Sequence, residues 1–260
     1  MRSKGGGAVA GVLAAASVCL GGTAAQAGAW PMPKGEGQVI LKYERMEADE
    51  AFDLDGTVVD LFPRSDEQLS AFVEYGLTKR ITLQMQGGYT QGEDAFVAYD
   101  GVAPTQLGAR FMMLRTSRSV VSLYAGGTLA GEGRNADFAA PSQGDGDLEI
   151  RLLAGRSGVW RRRPVFGEVQ LARLARSDLP HETRLETTIG VDVTPRWTVL
   201  LQSYAGLADG GDDAPLWAKG EVSVVRRFGR WRVQAGWRQS QVGRNVPLER
   251  GPVLAVWRTF

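Results

Sequence analysis

The chain has 260 residues, a formal net charge of +1, 34 glycines and one cysteine. That balance leaves no polybasic face for nucleic acid. Cys19 lies in the first segment, so disulfides and thiolate chemistry are excluded from the rest of the chain. After residue 27 no stretch approaches the roughly 20 apolar residues that a membrane helix needs.

The first segment reads as a targeting signal. Arg2 and Lys4 supply positive charge, Ala8 to Leu20 is apolar, and Ala25-Gln26-Ala27 is a small-x-small cleavage pattern. A signal peptide over 1–27 is expected, with Gly28 as the first mature residue and 28–260 as one domain. Ala29-Trp30-Pro31-Met32-Pro33-Lys34-Gly35 then reads as an extended leader without regular structure of its own.

From there alternation with a period of two dominates. Strands are predicted over 37–47, 67–77, 81–91, 105–114, 120–130, 148–157, 165–175, 183–193, 197–207, 216–226, 231–241 and 252–260. In the eighth, Leu185, Thr187, Ile189, Val191 and Val193 face one way and Arg184, Glu186, Thr188, Gly190 and Asp192 the other. Long polar connections (48–65, 92–103, 131–147, 176–182, 208–215, 242–250) alternate with tight turns near 78–80, 115–118, 160–163, 194–196 and 228–230. The expected fold is all-β: a transmembrane antiparallel up-and-down β-barrel of about 12 strands, or ten if one weak pair is miscounted.

The apolar face is assigned to lipid, since a Lys or Arg at the bilayer midplane costs about 2–4 kcal/mol there. The lumen face then holds Lys42, Glu44, Glu74, Arg110, Glu149, Arg151, Glu168, Arg184, Glu186, Lys219, Glu221, Arg232 and Arg238. Trp160, Phe166, Trp197, Phe228, Trp231 and Phe260 are predicted to form one interfacial girdle beside the short turns, with Tyr89, Tyr204 and Trp237 contributing to the other. Leu254 and Val256 continue the outward apolar pattern of the last strand, and Arg258 breaks it. With its terminal Phe260 on a last strand, the chain resembles bacterial outer-membrane β-barrel proteins, whose final strand is read by the barrel-assembly machinery. Its strand pattern and length also resemble transporters of phenol-degradation meta-pathway operons, which implies a hydrophobic solute. The resemblance implies the outer membrane of a Gram-negative bacterium, with outer-membrane lipid and lipopolysaccharide as surroundings.

Mixed charges on the lumen face fit either a polar pore for small solutes or a barrel closed by paired side chains. His181 is the only histidine, and Ser177, Asp178 and Glu182 are close in sequence. An outer-leaflet lipid-modifying enzyme would need such a base beside a serine, but the grouping is local and fits no deacylase pattern, so a solvated loop histidine is expected. Gln143-Gly144-Asp145-Gly146-Asp147 and Asp209-Gly210-Gly211-Asp212-Asp213 lack full calcium-loop spacing. Neither a cofactor nor a metal is expected. The reading is a non-enzymatic channel or transporter; the alternatives are the lipid enzyme and a closed anchoring barrel with partner-binding loops.

Overall fold

The computed structural model describes residues 28–129, 131, 146–177 and 179–260. The predicted signal peptide, most of the loop 131–147, the end of the fifth predicted strand at Ala130, and Asp178 lie outside the described residues. The strands are β1 (Gly37–Phe52), β2 (Val58–Gly76), β3 (Ile81–Glu93), β4 (Ala98–Arg115), β5 (Ser119–Leu129), β6 (Leu148–Trp160), β7 (Arg163–Ala175), β8 (Glu182–Thr194), β9 (Trp197–Ala208), β10 (Leu216–Phe228), β11 (Trp231–Arg244), the two-residue β12 (Val246–Pro247) and β13 (Arg250–Thr259). Each long strand pairs antiparallel with its neighbours in sequence, and β1 pairs with both β2 and β13, so twelve long strands close into an up-and-down barrel. Short β12 caps the end of β1 through Ala51↔Pro247 and Phe52↔Val246. Among the described long strands closure leaves none at an edge with backbone groups that would need water.

The last residue completes the seam. Phe260 N–H donates to Gly37 O at 2.9 Å, and Gly37 N–H returns a bond to Phe260 O at 2.9 Å. Both chain ends of the barrel and the turns at 77–80, 116–118, 161–162, 195–196 and 229–230 share one end, here the lower end.

At the upper end the strands run further than the alternation alone suggests. The predicted connection 48–65 is mostly strand: β1 continues to Phe52, β2 begins at Val58, and only 53–57 turn. Asp53 builds that turn, its Oδ1 accepting from Asp55 N at 2.9 Å and Thr57 N at 2.8 Å, with Gly56 at φ +76°. Pro63 sits where pairing skips from Ala48↔Arg64 to Glu50↔Asp60, a bulge that spares it the ladder bond it cannot make. Likewise β4 reaches back to Ala98 through Pro104, where pairing skips from Gln86↔Gln106 to Gly88↔Ala103. Each bulge interrupts the period of two, so the polar stretches read as loops although they are paired.

The turn between β6 and β7 is unusual in composition. Arg161 and Arg162 occupy φ +47° and +66°, the left-handed region that two-residue hairpin turns require and that Asn-Gly fills most easily. Each non-glycine residue there costs about 1–2 kcal/mol. Replacing Arg161-Arg162 by Asn-Gly is therefore expected to raise the urea midpoint of unfolding with an unchanged slope; a lower midpoint would show that the arginines hold the turn by other contacts.

Outward positions are apolar around the circumference: Leu41, Met85, Leu107, Leu152, Leu171, Ile189, Leu201, Val222 and Leu254 are all exposed. A continuous band of that kind is incompatible with water and matches the lipid-facing belt of a membrane barrel. No described helix is long and apolar enough to cross a membrane, and the crossing is made by strands.

Candidate functional site: the barrel lumen

The leader has no regular structure of its own, as expected, and its place is inside the barrel. Residues 28–33 run into the lumen at its lower end, where side chains of four strands hold their backbone. Ala29 N–H donates to Glu168 Oε2 at 2.6 Å, and Ala29 O accepts from Ser122 Oγ at 2.7 Å. Arg110 donates to Gly28 O and, at 2.7 Å, to Trp30 O. Met32 N–H donates to Thr82 Oγ1 at 3.0 Å. Ala29 is fully buried. Gly35 N–H reaches Gly76 O at 2.8 Å, and a Cβ at Gly76 would collide with the Pro33 carbonyl.

Apolar inward residues receive the leader. Trp30 meets Phe166 edge-on, centroids 6.2 Å apart, and lies over Gly155, where a Cβ would come within 2.6 Å of its ring. Phe166, Leu200, Val225, Ala255 and Trp257 form one buried cluster with Trp30 and Ile40; Ala29, Val120, Tyr124 and Leu153 form a second. Phe166 thus corrects the predicted girdle. It is 6% exposed, on the same face of β7 as Glu168, and belongs to the lumen. Tyr204 is corrected likewise: it lines the lumen beneath the Arg238 guanidinium, 4.5 Å from ring centre to carbon. Trp160, Trp197, Phe228, Trp231 and Phe260 lie exposed at the lower end, as Tyr89 and Trp237 do elsewhere on the wall. Arg258 lies over Trp231 at 4.8 Å, and Arg226 over Trp197 at 5.2 Å, so these outward arginines rest on the aromatic rim.

The structure places every predicted lumen residue on the inner wall, and it gathers most of them into paired groups. Lowest is Arg110–Glu74, 2.9 Å apart with both side chains wholly buried, Gln84 Nε2 donating to Glu74 Oε1 at 2.6 Å. Higher, Arg238 bridges Glu44 (2.5 Å) and Glu221 (2.7 Å), and Lys42 meets Glu44 at 2.8 Å. On another part of the wall Arg151 bridges Glu149 (2.6 Å) and Glu186 (3.2 Å) and donates to Gln170 at 2.7 Å. At the upper end Arg184 meets Glu182 at 2.8 Å, Trp217 Nε1 donates to Glu182 at 2.9 Å, and Lys219 pairs with Glu249. Burial alone would raise the Glu249 carboxyl, but Lys219 with Arg64 and Arg238 outweighs it and holds the group below its usual range. Arg232 lies 5.8 Å over Trp257.

Between these groups lies a cavity of about 230 Å³. Ile40, Phe72, Phe166, Leu200 and Trp257 give it apolar lining; Lys42, Gln86, Glu186, Gln202, Tyr204 and Arg238 give it polar lining.

His181 stands outside this system. It is exposed, and its Nδ1 accepts the Arg176 backbone N–H at 3.1 Å. Glu182 is committed to Arg176, Arg184 and Trp217. Among the described residues one imidazole nitrogen is tied to the main chain and no carboxylate hydrogen-bonds to the ring, whereas serine activation uses an orienting carboxylate. His181→Ala is expected to leave lipid turnover at the level of a barrel without the enzyme; a fall in hydrolysis would revive the enzymatic reading. Asp209 is paired with Arg173, which draws its carboxyl below the usual range. Gln143, Gly144 and Asp145 lie outside the described residues.

The sequence matches no protein-family model and no curated protein. The fold does have solved counterparts. It is similar to an outer membrane channel from Pseudomonas putida F1, with 16% identity, coverage of 89% of this chain and 97% of that one, and a TM-score of 0.67. It is also similar to the NanC porin (6% identity, 84% and 98%, TM-score 0.53) and to the translocator domain of the autotransporter NalP from Neisseria meningitidis (10% identity, 88% and 90%, TM-score 0.51). The chain therefore has the fold of outer-membrane β-barrel proteins.

Proposed function

We propose that the chain is a channel for small solutes in the outer membrane of a Gram-negative bacterium, with the lumen as its pathway and the leader as its narrowest part. One observation carries this reading: a cavity of about 230 Å³ persists above the leader, walled by charged and amide side chains. A barrel whose lumen were only structural filling would bring such groups into mutual contact and leave no cavity, as interiors pack densely. Pairing of the wall charges, within a strand at Arg151–Glu149 and between strands at Arg238 with Glu44 and Glu221, makes strong selection by ion sign unnecessary for passage. The apolar lining formed by Ile40, Phe72, Phe166, Leu200 and Trp257 beside polar groups suits a solute with an apolar body and a few polar substituents.

The test is single-channel recording of the refolded mature protein in a planar bilayer under a salt gradient. Discrete conductance steps are expected. Arg238→Gln leaves Glu44 and Glu221 without the cation that bridges them, so the reversal potential should move toward that of a cation-selective pore. Silence from a protein shown to be folded, or a reversal potential indifferent to Arg238, would favour the closed barrel instead.

A further inference from the structure

Glu168 is the one lumen carboxylate on the predicted list without an ion pair to a described cation, Arg110 acting on it only from nearby. It is 6% exposed, borders the lumen cavity, and accepts from the Ala29 N–H and from Gln170 Nε2, both neutral donors. Glu44, Glu74, Glu149, Glu186 and Glu221 each contact an arginine. The nearby Arg110 is already engaged by Glu74 and by the carbonyls of Gly28 and Trp30. An ionised carboxylate buried without a counter-charge is costly, by several kcal/mol even after relaxation.

The backbone beside it is Gly28, at φ +105°, and a Cβ there would fall directly on the Glu168 carboxylate. Only glycine fits, so the main chain at residue 28 comes as near to this carboxylate as a backbone can. Ala25-Gln26-Ala27 immediately before it is the small-x-small pattern that a signal peptidase cuts after.

We propose that cleavage after Ala27 frees the Gly28 α-amino group as the counter-ion of Glu168, so that processing itself supplies the charge that fixes the leader in the lumen. Before cleavage, the Gly28 nitrogen is a neutral amide. Afterwards it is an ammonium one bond from the Cα that abuts the carboxylate, and Ala29 N–H already holds the other oxygen. A charge-assisted bond there is about twice as strong as a neutral one. Glycine at this position serves both roles, giving the close approach and the positive φ. The inference concerns the state of the leader and holds whether or not the lumen conducts.

The test is limited acylation of the folded, outer-membrane-derived protein near neutral pH with isotopic acetic anhydride. Intact mass identifies the first residue, and peptide mass spectrometry compares the Gly28 amine with the exposed Lys79 as internal reference. Gly28 is expected to begin the chain and to acylate at least about tenfold more slowly than in Glu168→Gln, the factor that one pKa unit of added stabilisation gives. The amide of that variant still offers Ala29 N–H an acceptor, so a contact that is only structural would leave the two rates equal. A second variant, with one alanine inserted before Gly28, moves the amine off the carboxylate and should acylate fast in an otherwise normal barrel. A different mature N-terminus, or equal rates in wild type and both variants, would overturn the proposal. Heat-modifiable mobility on gels, checked for each sample, excludes unfolding as the source of fast labelling.

Discussion

Deleting residues 28–35 is expected to raise single-channel conductance several-fold and to quiet any flicker between substates. The leader lies across the lower lumen, with Ala29 fully buried and Trp30 against Phe166 and over Gly155. Removing it empties that end while the barrel wall keeps its own pairing, because Gly37↔Tyr75 and Gln38↔Thr259 register β1 on both sides without the leader. Conductance through a narrow pore is set by its tightest segment, so widening there should matter more than any change in the upper loops. Two point variants separate the plug from the deletion. Trp30→Ala removes the largest leader side chain and should give an intermediate conductance. Gly76→Val drives a side chain into the Pro33 carbonyl and unseats the leader without shortening it; it should increase substate noise. If deletion leaves conductance unchanged, the constriction lies elsewhere in the barrel.

How far this arrangement was legible in the sequence depends on which face of a strand is considered. Strict alternation such as Leu185 to Val193 against Arg184 to Asp192 defines the barrel, and it assigns charged residues to the lumen because lipid penalises them. The same logic misplaced Phe166 and Tyr204. Hydrophobicity says that an aromatic side chain leaves water, but the covered lower lumen satisfies that as well as the membrane interface does. Parity held the answer: Phe166 shares its face with Glu168 and Gln170, and Tyr204 with Gln202. Inward apolar residues at Ile40, Phe166, Leu200 and Trp257 amount to a binding surface inside the barrel, and Trp30-Pro31-Met32-Pro33 is a matching apolar segment outside any strand. Those two facts together are the signal for the leader. The extended upper strands were hidden for a different reason, since Pro63 and Pro104 mark bulges that reset the alternation.

Arg110→Ala is expected to cost about 3–5 kcal/mol of stability, the usual effect of removing one partner from a buried ion pair. Both Arg110 and Glu74 are wholly buried, so the Glu74 charge that remains has no water to replace its partner. Two leader carbonyls, of Gly28 and Trp30, lose their donor in the same step. The wild-type pair is itself incompletely satisfied, with Glu74 Oε2 and Arg110 Nε lacking hydrogen-bond partners. Its desolvation is therefore only partly recovered, and replacing both ends should be milder than removing one. Arg110→Met with Glu74→Met should recover most of the loss, yet remain below wild type by about 1–3 kcal/mol if the orphaned leader carbonyls stay buried. Urea unfolding followed by tryptophan fluorescence measures all three proteins. Should the double variant be no more stable than Arg110→Ala, the arginine acts through the leader rather than through Glu74. Combining each variant with deletion of 28–35 decides between them: a role confined to the leader disappears on deletion, whereas the penalty of an unpaired Glu74 stays unless water entering the emptied lumen relieves it, in which case it falls with rising exposure of that carboxylate.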